Sequence, residues 1–221
     1  MLPIKKGPQP QELQDAVWRI KGTPSTTLSW NHVDHDERQA TLAALLRDQG
    51  GLCAYCMRPI DKDTGHVEHI IPQSEHRGGD DPDSVDYHNM LAVCDGFEGN
   101  PAGQTCDRAR GDRPLAVSPL DARQVDRIMY LRDGTIGSDD ADINDCLNKT
   151  LNLNQALLKR NRRAALDASH GVLERQGRRG RGAVVSFCKR YVAEHLDKPE
   201  ERRAYDGIVI YFMRKRIRAA S

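Results

Sequence analysis

The sequence predicts an α+β protein that is mostly α, with a small β-containing core between helices on both sides. Two observations lead to this class. Apolar residues recur at helical spacing toward both ends of the chain, whereas two short strand-like runs, residues 66–71 and 90–93, lie in the middle. Four of the six cysteines also fall between residues 53 and 106, beside histidines and acidic residues. That clustering predicts a core built around a metal ion.

An N-terminal helical segment is predicted for residues 1–50. Residues 8–20 predict a short helix and residues 36–51 a clearer one, which Asp34 or Asp36 can cap and which two glycines end. The apolar positions of the first helix are Leu13, Val17 and Ile20, those of the second are Leu42, Leu45 and Leu46, and the two glycines are Gly50 and Gly51.

The predicted core spans residues 51–120, and a basic helical region spans residues 121–221. Within that region we expect helices at 121–131, 151–176, 183–196 and 199–219, with a turn at Asp133-Gly134. The net charge of +1 conceals an asymmetry. The last 71 residues hold 17 Lys/Arg and 7 Asp/Glu, a net of +10, and the rest of the chain holds 16 and 25, a net of −9. The basic third can bind phosphates or an acidic partner, or pair with the acidic part of the same molecule.

Composition excludes several classes of protein. No apolar run approaches the roughly 18 residues of a membrane span, and residues 1–14 lack the apolar stretch of a signal peptide. Six cysteines in 221 residues are too few for a disulfide scaffold. We therefore expect a cytoplasmic protein without a membrane partner.

Cys53 and Cys56 form a C-x-x-C turn, which supplies half of a tetrahedral zinc site. Cys94 and Cys106 are the candidates for the other half, although eleven residues rich in Gly and Asn separate them. Four thiolates leave no open position for water, so the predicted zinc is structural. The remaining cysteines, Cys146 and Cys188, are expected to be ordinary buried residues.

Glu68 and His69 lie between the two cysteine pairs and are the expected catalytic residues. Hydrolysis of a phosphodiester needs a general base, for which a neutral imidazole is suitable, and a hard divalent cation that neutralises charge at phosphorus. We expect His69 to be the base and Glu68 to be a ligand of Mg²⁺ or Mn²⁺. Neighbouring residues on a regular strand point to opposite faces, so both can reach one site only where the strand ends, and Pro72 favours an early end.

Four further residues are candidates for the same site. Asn89 can hold the long loop between the two strands through backbone hydrogen bonds. Asp107 can complete the divalent-metal site, cap a short helix, or do both. Arg108 and Arg110 are candidates for contacts with substrate phosphate, and a solvated role is an equal alternative for each. Three histidines near the site, His66, His76 and His88, are weaker candidates for extra ligands or phosphate contacts.

These motifs resemble the HNH, or ββα-metal, nuclease superfamily. The segments GLCAYCMRPI, VEHIIPQS, DYHNMLAVCDG and TCDRARGD look like the PtuB nuclease subunit of Septu-type and retron-associated antiphage systems, and YLRDGTIGSDD and LNLNQALLKRNR extend the likeness more weakly. The sequence departs from the broad pattern at three places. Asp107 stands where Asn or His is common, Arg110 stands where Lys is usual, and the second cysteine pair is split.

The resemblance implies a metal-dependent HNH endonuclease with DNA favoured and RNA or tRNA as alternatives. It implies His69 as base, Glu68 and Asp107 as metal ligands, Asn89 as the residue that fixes the loop, and four cysteines on zinc. It also implies a partner, a PtuA-like ATPase of ABC or SMC type that restrains the nuclease. The alternative function is a zinc-knuckle module that binds nucleic acid or docks to an ATPase, for instance through residues 151–176, without catalysis of its own.

Overall fold

The computed structural model describes residues 1–76, 79–96, 103–178 and 180–220. It is 55% helical with two small antiparallel sheets, which confirms the predicted mostly α, α+β class. The helices are α1 (Gln11–Gly22), α2 (His35–Gln49), α3 (Cys106–Arg110), α4 (Ala122–Val125), α5 (Ala141–Asp145), α6 (Ala156–Gly177), α7 (Arg181–Asp197) and α8 (Asp206–Arg218). The strands are β1 (Gly65–His69), β2 (Met90–Cys94), β3 (Ile128–Tyr130) and β4 (Ile136–Ser138).

The two N-terminal helices form where the sequence predicts them. Of the two possible caps of α2, the N-cap residue is Asp34, and the Glu37 carboxylate accepts a hydrogen bond of 2.8 Å from its backbone N–H. Gly50 ends the helix at φ +70°, and a Cβ at this position would lie 2.0 Å from the Pro199 carbonyl oxygen. Only glycine therefore allows the C-terminal region to approach the end of α2 this closely.

β1 and β2 form an antiparallel hairpin whose register pairs Gly65 with Cys94 and His69 with Met90. Every residue of β2 is buried. On the far side of β2, the Gln49 side chain accepts from the Ala92 N–H at 2.8 Å and donates to the Ala92 carbonyl at 2.7 Å. This side chain satisfies backbone groups that a third strand would otherwise pair. The hairpin and the short α3 that follows it carry the residues of the site.

The predicted helix at 121–131 is wrong beyond Val125. α4 ends there, and residues 128–138 form the β3–β4 hairpin around the predicted turn at Asp133-Gly134. Asp133 accepts from the Thr135 N–H at 2.9 Å, and Gly134 adopts φ +88° against the Lys159 carbonyl. An apolar, aromatic run of three residues and an Asp-Gly turn outweigh the weak helical spacing.

The other C-terminal helices are confirmed with shifted boundaries. α6 begins at Ala156 rather than residue 151; a π-helical turn at Cys146–Thr150 and five non-helical residues, 151–155, precede it. α8 begins at Asp206 after a 3₁₀ turn at Pro199–Glu201. Further 3₁₀ turns lie at Trp30–His32, Gln73–His76, Pro82–Val85 and Tyr87–Asn89.

A hydrophobic cluster of buried residues runs through all parts of the chain, with Leu45, Val93 and Ile208 among its members. Cys146 and Cys188 are buried in it, as expected. Within the described residues, no helix combines the length and the apolar character needed to cross a bilayer.

Candidate metal centre

The four predicted zinc ligands converge. Cys53, Cys56, Cys94 and Cys106 are all buried, and their sulfurs lie within 4.8 Å of one another. The Sγ–Sγ distance is 3.9 Å between Cys53 and Cys106 and 3.7 Å between Cys56 and Cys94. Four sulfurs at about 2.3 Å from a tetrahedral zinc ion would be separated by about 3.8 Å. The cluster therefore has the donors and the spacing that a structural zinc ion needs.

The local backbone explains how the first cysteine pair is presented. The N–H of Cys53 donates to the Arg58 carbonyl at 2.9 Å and the N–H of Met57 donates to the Cys53 carbonyl at 3.0 Å, so residues 53–58 form one tight turn. Met57 adopts φ +64° to close it. The Ala54 N–H donates to the Ala92 carbonyl of β2, and this bond ties the turn to the strand that carries Cys94.

The insertion between Cys94 and Cys106 closes at its base. Residues 97–102 of it lie outside the described part of the chain. Gly96 adopts φ +74°, and a Cβ there would lie 2.6 Å from the Thr105 carbonyl oxygen, so the two ends of the insertion are in contact. A close approach of this kind lets the loop lengthen without separating its two cysteines.

A second cluster lies on the same hairpin and is formed by His66, Glu68 and Asp107. We call it the carboxylate cluster. His66 and Glu68 are two residues apart on β1 and therefore share one face of the strand. His66 Nε2 is 2.7 Å from Asp107 Oδ2, and Asp107, in the first turn of α3, lies close enough to Glu68 to shift the pKa of its carboxyl group. The structure thus brings together the two predicted carboxylate ligands and one of the weaker histidine candidates.

Burial and mutual repulsion govern the ionisation of the two carboxyl groups. Desolvation, followed by the charge of Asp107, raises the pKa of Glu68 to about 7. Burial also acts to raise the pKa of Asp107, but hydrogen bonds from His66 and Glu68 outweigh it and lower that pKa. The Asp107 hydrogen bond, opposed by desolvation, raises the pKa of His66. The raised pKa of Glu68 favours its protonated form more than an exposed site would, and a bound cation would favour the ionised form.

Arg110 forms a buried ion pair with Glu68. Its guanidinium is buried, forms an ion pair with Glu68 Oε1, and donates to the carbonyls of His69 at 2.8 Å, Ile70 and Arg113. Tyr55, from the C-x-x-C turn, donates to the same Glu68 oxygen at 3.3 Å. The expected contact of Arg110 with substrate phosphate does not fit this placement, because its donors are used inside the protein.

His69 does not contact the carboxylate cluster through its ring. Its Nε2 is 2.9 Å from the Ser84 carbonyl oxygen, its Nδ1 is 3.1 Å from the Gln73 amide nitrogen, and its ring packs edge-on against Trp30 at 5.6 Å. Burial lowers the pKa of His69, so the ring is neutral at pH 7. Glu68 and His69 are linked through the strand end, where Arg110 contacts the Glu68 carboxylate and the His69 carbonyl together.

Asn89 joins the two ends of the loop that follows β1. Its Oδ1 accepts from the Ile71 N–H at 2.8 Å, and its Nδ2 donates to the carbonyls of Asp83 at 2.9 Å and Ile71 at 3.2 Å. The loop that contacts the His69 ring is therefore braced by one amide side chain.

The remaining candidates lie outside the cluster. Arg108 is exposed and donates to the Asp95 carbonyl at 3.1 Å, and His88 is exposed beside Tyr87. The side chain of His76 is outside the described residues. The N-cap of α3 is Thr105, and the Asp107 carboxylate faces His66 and Glu68, so helix capping is not its role here.

The structure adds three residues whose importance the sequence reasoning underestimated: His66, Tyr55 and Arg110. Strand alternation was the available signal for His66, because a residue two positions before Glu68 must share its face. The contacts of Tyr55 and Arg110 with Glu68 depend on the packing of α3 and the cysteine turn against β1, which no local pattern specifies.

Among the described residues, the four cysteines are the one group of three or more metal-ligating side chains whose donor atoms lie within 4.8 Å of one another. The donor atoms of the carboxylate cluster are thus spread more widely than those of the cysteine cluster.

Comparison of the sequence with known protein families and with curated proteins finds no match in either case.

Proposed function

We propose that this chain is a metal-dependent HNH-type endonuclease that hydrolyses phosphodiester bonds, with DNA as the favoured substrate and RNA as the alternative. The observation that carries the proposal is the meeting of Glu68 and Asp107 on a hairpin and helix that are joined by four clustered cysteines. This is the arrangement that the sequence resemblance implies.

Glu68 and Asp107 would hold Mg²⁺ or Mn²⁺, with His66 beside them as a further ligand or as the residue that orients Asp107. The fit is supported by the oxygen donors of the two carboxyl groups, by the pKa of Glu68, which Asp107 helps to raise, and by His66 Nε2, which lies 2.7 Å from Asp107 Oδ2. When bound, the cation neutralises charge on the phosphate and on the leaving oxygen.

His69 would act as the general base. The Ser84 carbonyl can only accept a hydrogen bond, so the proton lies on Nε2 and the lone pair lies on Nδ1. This is the tautomer that a base needs. Gln73 now donates to Nδ1, and an attacking water would take that place. Asn89 supports this arrangement because it closes the loop that carries Gln73 and Ser84.

A cleavage assay on plasmid DNA, single-stranded DNA and tRNA tests the proposal. The zinc-loaded chain should cleave at least one of them with Mg²⁺ or Mn²⁺, and His69→Ala and Glu68→Gln should each lower the rate on the order of 100-fold or more. His88→Ala is the matched control, because His88 is exposed and outside the cluster, and it should cleave at the wild-type rate. Equal activity of wild type and His69→Ala would rule out the assigned base.

A second candidate function is a zinc-knuckle module that binds nucleic acid or a partner without its own catalysis. The ion pair between Arg110 and Glu68 favours it, because a guanidinium already neutralises the carboxylate that the cation would use. Zinc-dependent binding of nucleic acid, with no cleavage in either metal, would support this reading.

The antiphage role and a PtuA-like ATPase partner are proposed from the sequence resemblance alone. Cleavage that requires an added ATPase, or copurification with one, would support them. The assay above is therefore run on the isolated chain and again with any ATPase encoded beside it.

A further inference from the structure

A cavity of about 850 Å³ lies between α6, α7 and α8 and shares no lining residue with the cysteine cluster or the carboxylate cluster. Its volume falls within the range of small-molecule sites, which is roughly 300 to 1,000 Å³. The wall from α6 includes several small residues, among them Ala164, Ala165 and Ala168. These leave room for a flat ligand against the opposite wall.

The opposite wall is an aromatic face of α7. Phe187, Tyr191 and His195 recur every four residues and all line the cavity. The Tyr191 and His195 rings are stacked with centroids 3.7 Å apart, and the Phe187 and Tyr191 centroids are 6.0 Å apart. Aromatic rings arranged along one wall are the kind of surface on which nucleic acid bases stack.

Asp206 holds this wall in place. The carboxylate is 1% exposed, accepts from the Tyr191 hydroxyl at 2.6 Å, and is hydrogen-bonded to His195 Nδ1. It also accepts from the Arg203 N–H at 3.2 Å. A buried carboxylate that bonds both stacked side chains makes the wall rigid before any ligand arrives.

Three arginines, one from α6, one from α7 and one from the segment before α8, line the same cavity and are exposed: Arg175, Arg190 and Arg203. No carboxylate in the described part of the chain forms a salt bridge within 4.0 Å with any of the three. Arg190 lies 5.7 Å from the Phe187 ring centroid, so a cation stands directly beside the aromatic wall. Three carboxylates also line the cavity: Glu194, Glu201 and Asp206, the last of which is already hydrogen-bonded to Tyr191 and His195.

We propose that this cavity binds a nucleotide, with its base against the aromatic face of α7 and its phosphate paired with the arginines. The ligand is either a free nucleotide or one unit of a single strand, since both offer the same base and phosphate. An acidic peptide would pair with the arginines but would not stack on the aromatic face of α7. The proposal does not depend on the cleavage chemistry, because no residue of either cluster takes part.

Isothermal titration of the zinc-loaded full chain with AMP, with a pentose 5-phosphate, with a short single-stranded DNA and with a polyglutamate peptide tests the site. AMP or the single strand should bind with a Kd of about 1 mM or below, and the sugar phosphate and the peptide at least about tenfold more weakly. Binding by AMP identifies a free nucleotide as sufficient. Binding by the single strand alone identifies a unit within a strand.

Two variants locate the binding. Ala168→Trp fills the cavity from an exposed position of α6 without a change of charge, and the double variant Arg190→Gln/Arg203→Gln removes two cations. Each should weaken binding at least about tenfold. Arg160→Gln is the matched control, because Arg160 is exposed on α6 outside the cavity. No binding of either nucleotide probe, equal binding of the peptide, or wild-type affinity of Ala168→Trp would overturn the proposal.

Discussion

The cysteine cluster and the carboxylate cluster lie on the same hairpin and helix, yet they are prepared for a metal to different degrees. The four sulfurs lie within 4.8 Å of one another, whereas Glu68 has a raised pKa and is already paired with Arg110. This difference between the two clusters follows from the chemistry of their donor groups. A neutral thiol packs in a core like a small apolar group, so four of them can converge without an ion. Two buried carboxylates repel each other and need a counter-charge to remain close.

If the proposed function holds, the first cluster is expected to serve folding and the second to serve chemistry. A site that contributes to folding must be complete in every folded molecule, and its loss must affect the whole core. A site that exchanges substrate and product is expected to be the less tightly assembled of the two. The predictions below test this division, in order from the largest expected effect to the smallest.

Cys53→Ser should have the largest effect, because it removes one of the four clustered thiols that could bind zinc and so join the C-x-x-C turn to α3. Structural zinc sites contribute on the order of 10 kcal/mol of apparent folding free energy. We expect bound zinc to fall from one ion per chain to near zero and the circular dichroism signal of the fold to be lost. Metal analysis and far-ultraviolet circular dichroism measure both.

Cys188→Ser is the matched control for that change. Cys188 is buried between the C-terminal helices but is not one of the clustered cysteines. It should keep one zinc ion per chain and lose only the modest stability that a buried hydroxyl costs. Retention of zinc and fold by Cys53→Ser would show that the first cluster is not a structural metal site.

The sequence specifies the first cluster better than the second, for a physical reason. Cysteine spacing and the Gly-rich insertion are local features, and the four sulfurs converge as predicted. The side chain that faces Asp107 depends on strand alternation, which places His66 with Glu68 and turns His69 away. Glu68 and His69 are neighbours in sequence, but the hairpin directs their side chains to different sides of the strand.

The fold shows the same division between local and long-range information. The capping box of α2 and the turn at Gly134 can be read from a few residues, and both form. The β3–β4 hairpin was missed because a three-residue strand gives almost no periodic signal. Its pairing depends on α6, whose Arg162 donates to the Gly134 carbonyl at 2.6 Å.

Arg110→Met should have the next largest effect, because it leaves Glu68 buried without its cation and removes a donor from three backbone carbonyls. Breaking a buried ion pair in this way costs about 3 kcal/mol. Mn²⁺ should recover part of this loss, since a cation on Glu68 and Asp107 replaces the missing charge. Urea denaturation with and without Mn²⁺ measures both effects.

Arg162→Met is the control for buried arginines. Arg162 is fully buried but bonds to Gly134, Leu153 and Asn154 rather than to a carboxylate. Its loss should also destabilise the fold, but Mn²⁺ should stabilise this variant no more than it stabilises the wild type. If Mn²⁺ restored the two variants equally, the carboxylate cluster would not be the site where the cation acts.

The smallest expected effect is the change in the free energy of unfolding between about pH 5.5 and 8 that comes from Glu68. Its pKa is raised from an ordinary value of 4.5 to about 7 in the folded chain, so the folded state binds its proton more tightly than the unfolded state. The free energy of unfolding therefore falls as the pH rises from about 4.5 to about 7 and changes no further above that range. Glu68→Gln cannot ionise and should lack this contribution.

Urea denaturation of the zinc-loaded chain at pH values from about 5.5 to 8, without added Mg²⁺ or Mn²⁺, measures the difference between wild type and Glu68→Gln. The pH dependence of zinc binding is present in both proteins and is removed by the subtraction. With saturating Mn²⁺, the free energy of unfolding of the wild type should rise with pH rather than fall. The reason is that the cation binds the ionised carboxylates, so its affinity increases with pH. If the free energy of unfolding depended on pH in the same way in both proteins, Glu68 would be ionised over the whole measured range. The raised pKa of Glu68, and with it the proposed difference between the thiol site and the carboxylate site, would then be wrong.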